Sequence, residues 1–342
     1  MKITTIFTLL KETVDEWNKD KASRLAAALA YYTVFSLSPL LIIAIAIAGA
    51  IFGEEAARGE IVGQIQGLVG KDGAEFIQTA IESAAKPTEG GGLASAISVV
   101  VLLFGASGVF VELQDALNTI WEVKPNPKAG VGTFIRTRFL SFSMVLGIGF
   151  LLLVSLLLTA GLSGFVAYLG NLFPIISSLL QVANFVLGFI VTTVLFGLIY
   201  KFLPDVKIAW SDVLIGAAIT SMLFSIGRYG LGLYLGNSSF GSTYGAAGSL
   251  VIILAWVYYA AQILFFGAEF TQVYARRYGS QIVPDKNAIP INQSDRAQQG
   301  IESNGTSRPA KSKSSSPNFV SNLVRRFTPS SRLRRRSKNR RP

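Results

Sequence analysis

Long stretches of this chain contain no charged side chain. Residues 139–200 lack Asp, Glu, Lys and Arg, and so do residues 25–53. Between Asp212 and Glu269 the only charged residue is Arg228. The hydrocarbon core of a bilayer disfavours charge and is crossed by about 20 apolar residues in a helix. The pattern therefore predicts an all-α, polytopic membrane protein.

Six membrane-spanning helices account for these apolar stretches. The stretch 139–200 has to contain two of them, because a single helix of that length, rising about 1.5 Å per residue, would exceed the bilayer about threefold. The Phe173-Pro174 pair and nearby glycines mark the break between the two. We predict a membrane domain over residues 25–279 with spans at 28–52, 93–111, 139–161, 178–203, 213–235 and 249–271.

The connections between the spans differ in their basic residues, and short loops rich in Lys and Arg face the cytoplasm. The connections after the second and fourth spans are basic, whereas those after the first, third and fifth are acidic or uncharged. We therefore expect the basic connections and both the N- and C-termini to be cytoplasmic. The basic residues concerned are Lys124, Lys128, Arg136, Arg138, Lys201, Lys207, Arg276 and Arg277.

Residues 1–24 form an amphipathic helical pattern ahead of the first span. Apolar residues recur there every three or four positions, opposite charged ones, which is typical of a helix lying on a membrane surface. An alternative stays open, in which this helix packs on cytoplasmic parts of its own chain. The apolar positions are Ile3, Ile6, Phe7, Leu10, Val14 and Trp17.

Residues 53–90 follow the first span on the predicted outer side. They contain two helical patterns, which the turn-like sequence at 70–73 divides. We expect a small, outward-facing helical cap. A structural lid and a gate over a cavity are both compatible with this pattern.

The net charge of +11 lies in residues 280–342. This segment has fourteen Lys and Arg and three acidic residues, which leaves seventeen of each sign in the rest of the chain. It is polar and lacks hydrophobic periodicity, so we predict a disordered cytoplasmic tail. Beside a bilayer we expect it to bind anionic lipid headgroups, at about 1 kcal/mol per basic residue, rather than nucleic acid.

The composition excludes several classes of chemistry. The chain has no cysteine and no histidine, which removes thiolate nucleophiles, zinc-thiolate sites and the commonest proton shuttle near neutral pH. It also lacks a phosphate-cradling glycine loop and any metal-ligand spacing. We therefore predict no catalytic residue, no metal site and no cofactor, and we expect that the protein is not an enzyme.

Among the residues of the predicted spans, Arg228 costs the most free energy to insert into the membrane. The cost of an arginine at the centre of a membrane helix is about 2.5–3.5 kcal/mol. Two interpretations stay open. Either it lines a polar cavity that receives an anionic solute or headgroup, or it reaches the outer headgroups or helix-end carbonyls. On the first interpretation we predict a substrate-binding set of Arg228, Ser36, Ser38, Pro39, Asn237, Tyr244 and Glu269.

A second polar set follows the second span. Glu112, Asp115 and Asn118 recur at intervals of three and would form one stripe at the cytoplasmic mouth of the helices. Contact with a substrate and anchoring of the neighbouring loop explain this stripe equally well.

Glycine is dense in the fifth span, where it occurs at Gly216, Gly227 and Gly230. Small residues let membrane helices approach closely, and they also permit a broken helix that lines a cavity. Of these two interpretations we favour close packing.

Several segments together resemble the YihY/BrkB family of bacterial inner-membrane proteins, a family once labelled ribonuclease BN. The resemblance covers about residues 10–278. It rests on AAALAYYTVFSLSPLL at 26–41, LQDALNTIW at 113–121, YGAAG at 244–248 and GAE at 267–269. It implies a six-helix, multi-pass protein of the plasma (inner) membrane.

We expect this protein to move a small or lipid-like solute across the membrane, by a secondary mechanism if the transport is active. The alternative is a non-transporting envelope scaffold or partner protein, and a membrane-bound ribonuclease is a third and weaker hypothesis. A water-accessible cavity between the spans would separate the first two. The sequence does not identify the solute, and it leaves open whether the chain forms a homo-oligomer.

Overall fold

The computed structural model describes residues 3–84, 92–127, 132, 143, 174–236, 246–279 and 282–298. Most of these residues are helical. The helices are α1 (Ile3–Lys19), α2 (Ala22–Phe52), α3 (Glu54–Ala84), α4 (Gly92–Ile120), α5 (Pro174–Phe202), α6 (Trp210–Gly236), α7 (Ala246–Tyr278) and α8 (Gln293–Gln298). The strands are β1 (Val123–Pro125), β2 (Val206–Lys207), β3 (Val283–Pro284) and β4 (Ala288–Pro290).

Five helices in the described ranges are long and apolar enough to cross a membrane. They are α2, α4, α5, α6 and α7, and they coincide with the predicted first, second, fourth, fifth and sixth spans. The predicted third span, 139–161, lies outside the described residues except for Ser143. Large apolar side chains such as Phe35, Phe185 and Met222 are exposed on these helices, as expected of a surface that lipid covers.

Helices α6 and α7 pack against each other through two glycine contacts that mirror one another. Thr271 of α7 fills the space beside Gly216 of α6, and Thr220 of α6 fills the space beside Gly267 of α7. Each threonine hydroxyl donates to the carbonyl of the glycine in its own helix, at 2.8 Å for Thr220 and 2.6 Å for Thr271. The small residues at these positions therefore permit close helix packing without unpaired hydroxyls.

Helix α3 forms a cap at one end of the membrane helices, and its two halves meet at Gly70. The backbone of Gly70 has φ +80°, a conformation that glycine adopts without steric cost. Ile77 and Ile81 of the second half are buried against α2 and α7, where their neighbours include Ile45 and Ile253. The cap is thus part of a continuous apolar core.

Two short antiparallel strand pairs connect the opposite end of the membrane helices, which we call the basic end because Lys124, Lys207 and Arg276 lie there. β1 pairs with β4, and β2 pairs with β3. The β4 pairing continues into a hydrogen bond from Ile291 N to Glu122 O at 2.9 Å. These pairs join the connections after α4 and α5 to the segment that follows α7.

The first part of the predicted disordered tail is ordered, which corrects the boundary that we placed at residue 280. β3, β4 and α8 lie within residues 282–298, and an ion pair at 2.6 Å joins Lys124 to Asp295. Strands of two or three residues are too short to show a hydrophobic period, so composition alone concealed them. The remainder of the predicted tail, 299–342, lies outside the described residues.

Candidate functional site

Helix α1 packs along α7 at the basic end through one face. Leu9 is buried against Phe270 and Val273 of α7. Three ion pairs reinforce this contact. Arg276 donates to Glu16 at 3.0 Å and lies 3.7 Å from Glu12, and Arg277 lies 3.4 Å from Glu12.

The other face of α1 is apolar and exposed. Phe7 is 71% exposed and Val14 45% exposed. The two interpretations of the N-terminal helix are therefore compatible, since one face contacts the chain itself and the other is free to contact a membrane surface.

A buried ion pair lies where α1 meets α2. Arg296 of α8 contacts Asp20, and the side chains of both are almost fully buried. Arg296 also donates to Glu122 at 3.3 Å. Burial raises the pKa of Asp20 to about 7, and the negative charges of Glu122 and Glu16 act in the same direction, against the opposing effect of Arg296.

Glu269 lies beside this ion pair and is 0% exposed. Neither carboxylate oxygen has a hydrogen-bond partner among the described residues. The charged groups that act on it are Asp20, Glu16, Arg276 and Arg296. Both arginines already contact other carboxylates. We call Glu16, Asp20 and Glu269 the acidic cluster.

A groove of about 330 Å³ runs from the middle of α6 and α7 toward α1. We call it the α6–α7 groove. Two of its polar atoms, Trp17 Nε1 and Gln262 Oε1, are buried and have no partner in the described part of the chain. Its lining residues are Trp17, Leu223, Ile226, Gly227, Tyr259, Gln262, Ile263 and Phe266.

The groove and the acidic cluster share one face of α7. Gln262 precedes Glu269 by seven residues, which is about two helical turns and about 10 Å along the axis. The arrangement can therefore place an amphipathic molecule in the groove, with its polar part toward a buried carboxyl group.

A second cavity of about 300 Å³ lies between α2 and the cap. Ile42 and Ile45 of α2 and Ile81 of α3 provide apolar walls, and Glu54 and Arg58 provide a polar edge. Arg58 donates to Glu54 at 3.3 Å across an exposed surface. The cap thus covers a partly open space at the end of α2.

On the first span, two of the side chains predicted to bind substrate contact α4. Ser36 is buried beside Gly108 of α4, and Pro39 packs against Gly105. Helix α2 continues through Pro39. Ser38 is half-buried. Sequence periodicity shows which residues share a face, but it does not show which neighbour that face meets.

Arg228 lies on the exposed surface of α6. It does not line either of the two cavities described above. Its neighbours Ile226 and Tyr229 are exposed as well, so the position fits the interpretation in which the guanidinium reaches headgroups. Asn237 and Tyr244, also predicted to bind substrate, lie outside the described residues.

The stripe at the end of the second span anchors a loop through Asn118. Its side chain donates to Asp205 Oδ2 at 2.9 Å and accepts from Asp205 N at 2.8 Å. Gln114 donates to Asp205 Oδ1 at 3.3 Å. Of the other two predicted residues, Glu112 is half-buried and Asp115 is exposed. For Asn118, loop anchoring is therefore the interpretation that the structure supports.

Sequence reasoning missed most of the acidic cluster and the groove. Arg296 lies in a polar segment, and nothing local distinguishes it from the other basic residues of the tail. Trp17 was noted only as part of the apolar stripe. The available signal was Glu269 itself, the first charged residue after Arg228 in a long apolar stretch.

The known proteins to which this chain is similar are membrane proteins. The sequence profile described as "Virulence factor BrkB" matches residues 13–291, which include β1 to β4. A "UPF0761 membrane protein" of Photobacterium profundum is 28% identical over 282 residues, which is 81% of this chain and 82% of the relative.

Two further relatives bear the same description. The protein of Ralstonia nicotianae is 26% identical over 252 residues, or 73% of this chain and 55% of the relative. The protein of Rhodospirillum centenum is 28% identical over 261 residues, or 75% and 54%. The chain thus spans little more than half the length of these two. No solved structure matches the chain.

Proposed function

The chain belongs to the virulence factor BrkB family, and we propose that it is a bacterial inner-membrane transporter that moves a lipid-like solute, with its basic end in the cytoplasm. The observation that carries this proposal is the α6–α7 groove. The groove is mostly apolar, yet two of its lining residues have a buried polar atom without a partner in the described part of the chain, the donor Trp17 Nε1 and the acceptor Gln262 Oε1.

Unpartnered polar atoms in an apolar groove favour an amphipathic ligand. A buried polar atom without a partner costs about 1–3 kcal/mol. A solute with an apolar chain and a hydroxyl, amide or ester group would fill the groove and also satisfy both atoms. Sites of this composition, mostly apolar with a few placed polar groups, are typical of small-molecule binding.

The position of the groove agrees with a lipid-like solute. It extends from the middle of two membrane helices to Trp17 of α1, whose exposed face is apolar. A molecule leaving one leaflet would reach the groove without crossing water. The Lys and Arg residues of the basic end support the cytoplasmic orientation.

The test is a lipid transport assay with a matched pair of variants. The protein is reconstituted into liposomes that contain a fluorescent phosphatidylglycerol, and movement between leaflets is followed by quenching from outside. Ile226→Trp should slow this movement strongly, because the indole would occupy the groove. Met222→Trp is the control, since Met222 lies on the same helix at 60% exposure, against 61% for Ile226, but does not line the groove.

A non-transporting envelope scaffold is the second candidate, and the exposed position of Arg228 favours it. On that hypothesis the liposomes would show no protein-dependent lipid movement. Equal rates for Ile226→Trp and the unmodified protein would also count against the groove as a transport site.

A further inference from the structure

Glu269 is a carboxyl group with no means of compensating a negative charge. It is fully buried, and both of its oxygens lack partners among the described residues. Burying an unpaired ionised carboxylate costs far more than burying a neutral one. We propose that Glu269 is a proton-binding site.

When Asp20 is ionised in its pair with Arg296, the charges around Glu269 balance only if Glu269 is neutral. Glu16 pairs with Arg276, and Asp20 pairs with Arg296. Those four are the charged groups that act on Glu269, and their charges cancel. An ionised Glu269 would therefore leave one uncompensated negative charge in the interior of the basic end.

The partly exposed members of the surrounding ion pairs do not compensate the negative charge of an ionised Glu269. Glu12 shares Arg276 and pairs with Arg277, Lys19 lies 3.4 Å from Glu16, and Glu122 shares Arg296. The ion pairs around α1 and Arg296 thus join four basic groups to four acidic ones, and Glu269 belongs to none of the ion pairs found among the described residues.

Titratable groups on the other helices around α7 face elsewhere. On α4, the charges of Glu112 and Asp115 interact with each other and with Asp205. Asp212 of α6 lies against Gly279. The Tyr200 hydroxyl of α5 donates to Leu264 O at 2.7 Å. Arg24, the one charged residue of α2, is exposed.

A proton is a better occupant than a metal ion. Within the described ranges, no group of three or more Asp and Glu side chains is placed to hold a metal. A protonated carboxyl group is also a donor, and a suitable acceptor is near. Gln272 follows Glu269 by three residues, so the two are neighbours on α7, and its buried Oε1 has no partner in the same ranges.

A proton site here would explain how transport is energised, a step that rests on the proposed function. Gln262 of the α6–α7 groove and Glu269 lie on one face of α7, about 10 Å apart along the helix. Exchange of the proton would change the charge next to the polar end of a bound solute. The coupling ion would then be the proton.

Infrared spectroscopy of the whole protein in liposomes tests the site without any transport measurement. At about pH 9 the exposed carboxyl groups and Asp20, whose pKa is about 7, are ionised, so a C=O stretch of a protonated carboxylic acid reports another buried group. We expect this band in the unmodified protein and its loss in Glu269→Gln. Glu75→Gln should retain it, because Glu75 is exposed on the cap.

Isotope labelling keeps the test independent of the variants' folding. In the unmodified protein, ¹³C-labelled glutamate should shift the band. Absence of the band at this pH, its persistence in Glu269→Gln, or no shift on labelling would each overturn the proposal. The lipid assay is separate. Lost lipid movement in Ile226→Trp together with an unchanged rate and pH response in Glu269→Gln would reject proton coupling and leave the transport proposal standing.

Discussion

Asp20 and Arg296 form a buried ion pair across 276 residues of sequence. The pair joins the start of the first membrane helix to a short helix that follows the last one. The contact therefore closes the basic end of the membrane domain, and the acidic cluster lies directly beside it. Several properties of the protein should depend on this pair.

Replacing Arg296 by Gln should destabilise the protein strongly. The change leaves Asp20 buried without its partner, and such losses cost about 3–5 kcal/mol. The measurement is the free energy of unfolding in detergent micelles. Lys286→Gln is the control, because Lys286 lies in the same segment and is exposed. A loss no larger than that of the control would show that the pair does not hold α8 in place.

The stability of the protein should fall as pH rises from about 4 to about 7. The pKa of Asp20 is raised from 3.8 to about 7 by burial, so in this interval the folded state binds a proton that the unfolded state has released. Because folding is linked to proton binding, the contribution of Asp20 to the free energy of unfolding is complete below pH 3.8. It is lost as pH rises past about 7. Thermal unfolding midpoints across this range provide the measurement. Asp20→Asn should reduce the slope, and an unchanged slope would contradict the assignment.

The membrane helices could be predicted from the sequence for a physical reason. A bilayer imposes one requirement on every residue of a span, so the absence of charge over 25–53 and 139–200 is a strong signal. Pro39 did not prevent recognition of α2 either, since the apolar stretch continues on both sides of it. The five spans found in the described ranges follow from this requirement.

The candidate site could not be predicted in the same way, because it depends on pairs of residues that are distant in sequence. Periodicity shows that Ser36 and Pro39 share a face, but it does not show that Gly105 and Gly108 occupy that face. Asp20 and Arg296 are each ordinary in their own segments. Their contact depends on strands of two or three residues that no period reveals.

The close packing of α6 on α7 should make Gly216 sensitive to a single methyl group. In Gly216→Ala the added Cβ would overlap Thr271, and overpacking typically costs about 1–3 kcal/mol. Gly188→Ala is the matched control, because nothing lies within 4 Å of a Cβ there. Alanine is the better helix former, so this variant should be unchanged or about 0.5–1 kcal/mol more stable. Equal stabilities for the two variants would contradict the close contact.

Orientation can be tested with single cysteines, since the chain has none of its own. Lys207→Cys lies at the basic end and Glu55→Cys lies on the cap, and both positions are exposed. A maleimide that does not cross membranes should label Glu55→Cys in intact spheroplasts. It should label Lys207→Cys only after the membrane is permeabilised. The reverse pattern would invert the proposed topology.

Helix α1 should contact the membrane through the face that contains Phe7. Its opposite face is held against α7 by the ion pair between Glu16 and Arg276, which fixes the exposed apolar face at the edge of the membrane domain. Spin labels at Phe7→Cys and Asp15→Cys distinguish lipid from water through their relaxation by two agents. Oxygen concentrates in lipid, whereas a nickel chelate stays in water. The Phe7 label should respond mainly to oxygen and the Asp15 label mainly to nickel. Similar nickel responses at both positions would mean that this apolar face meets water, and a helix of this composition would then require a protein partner to cover it.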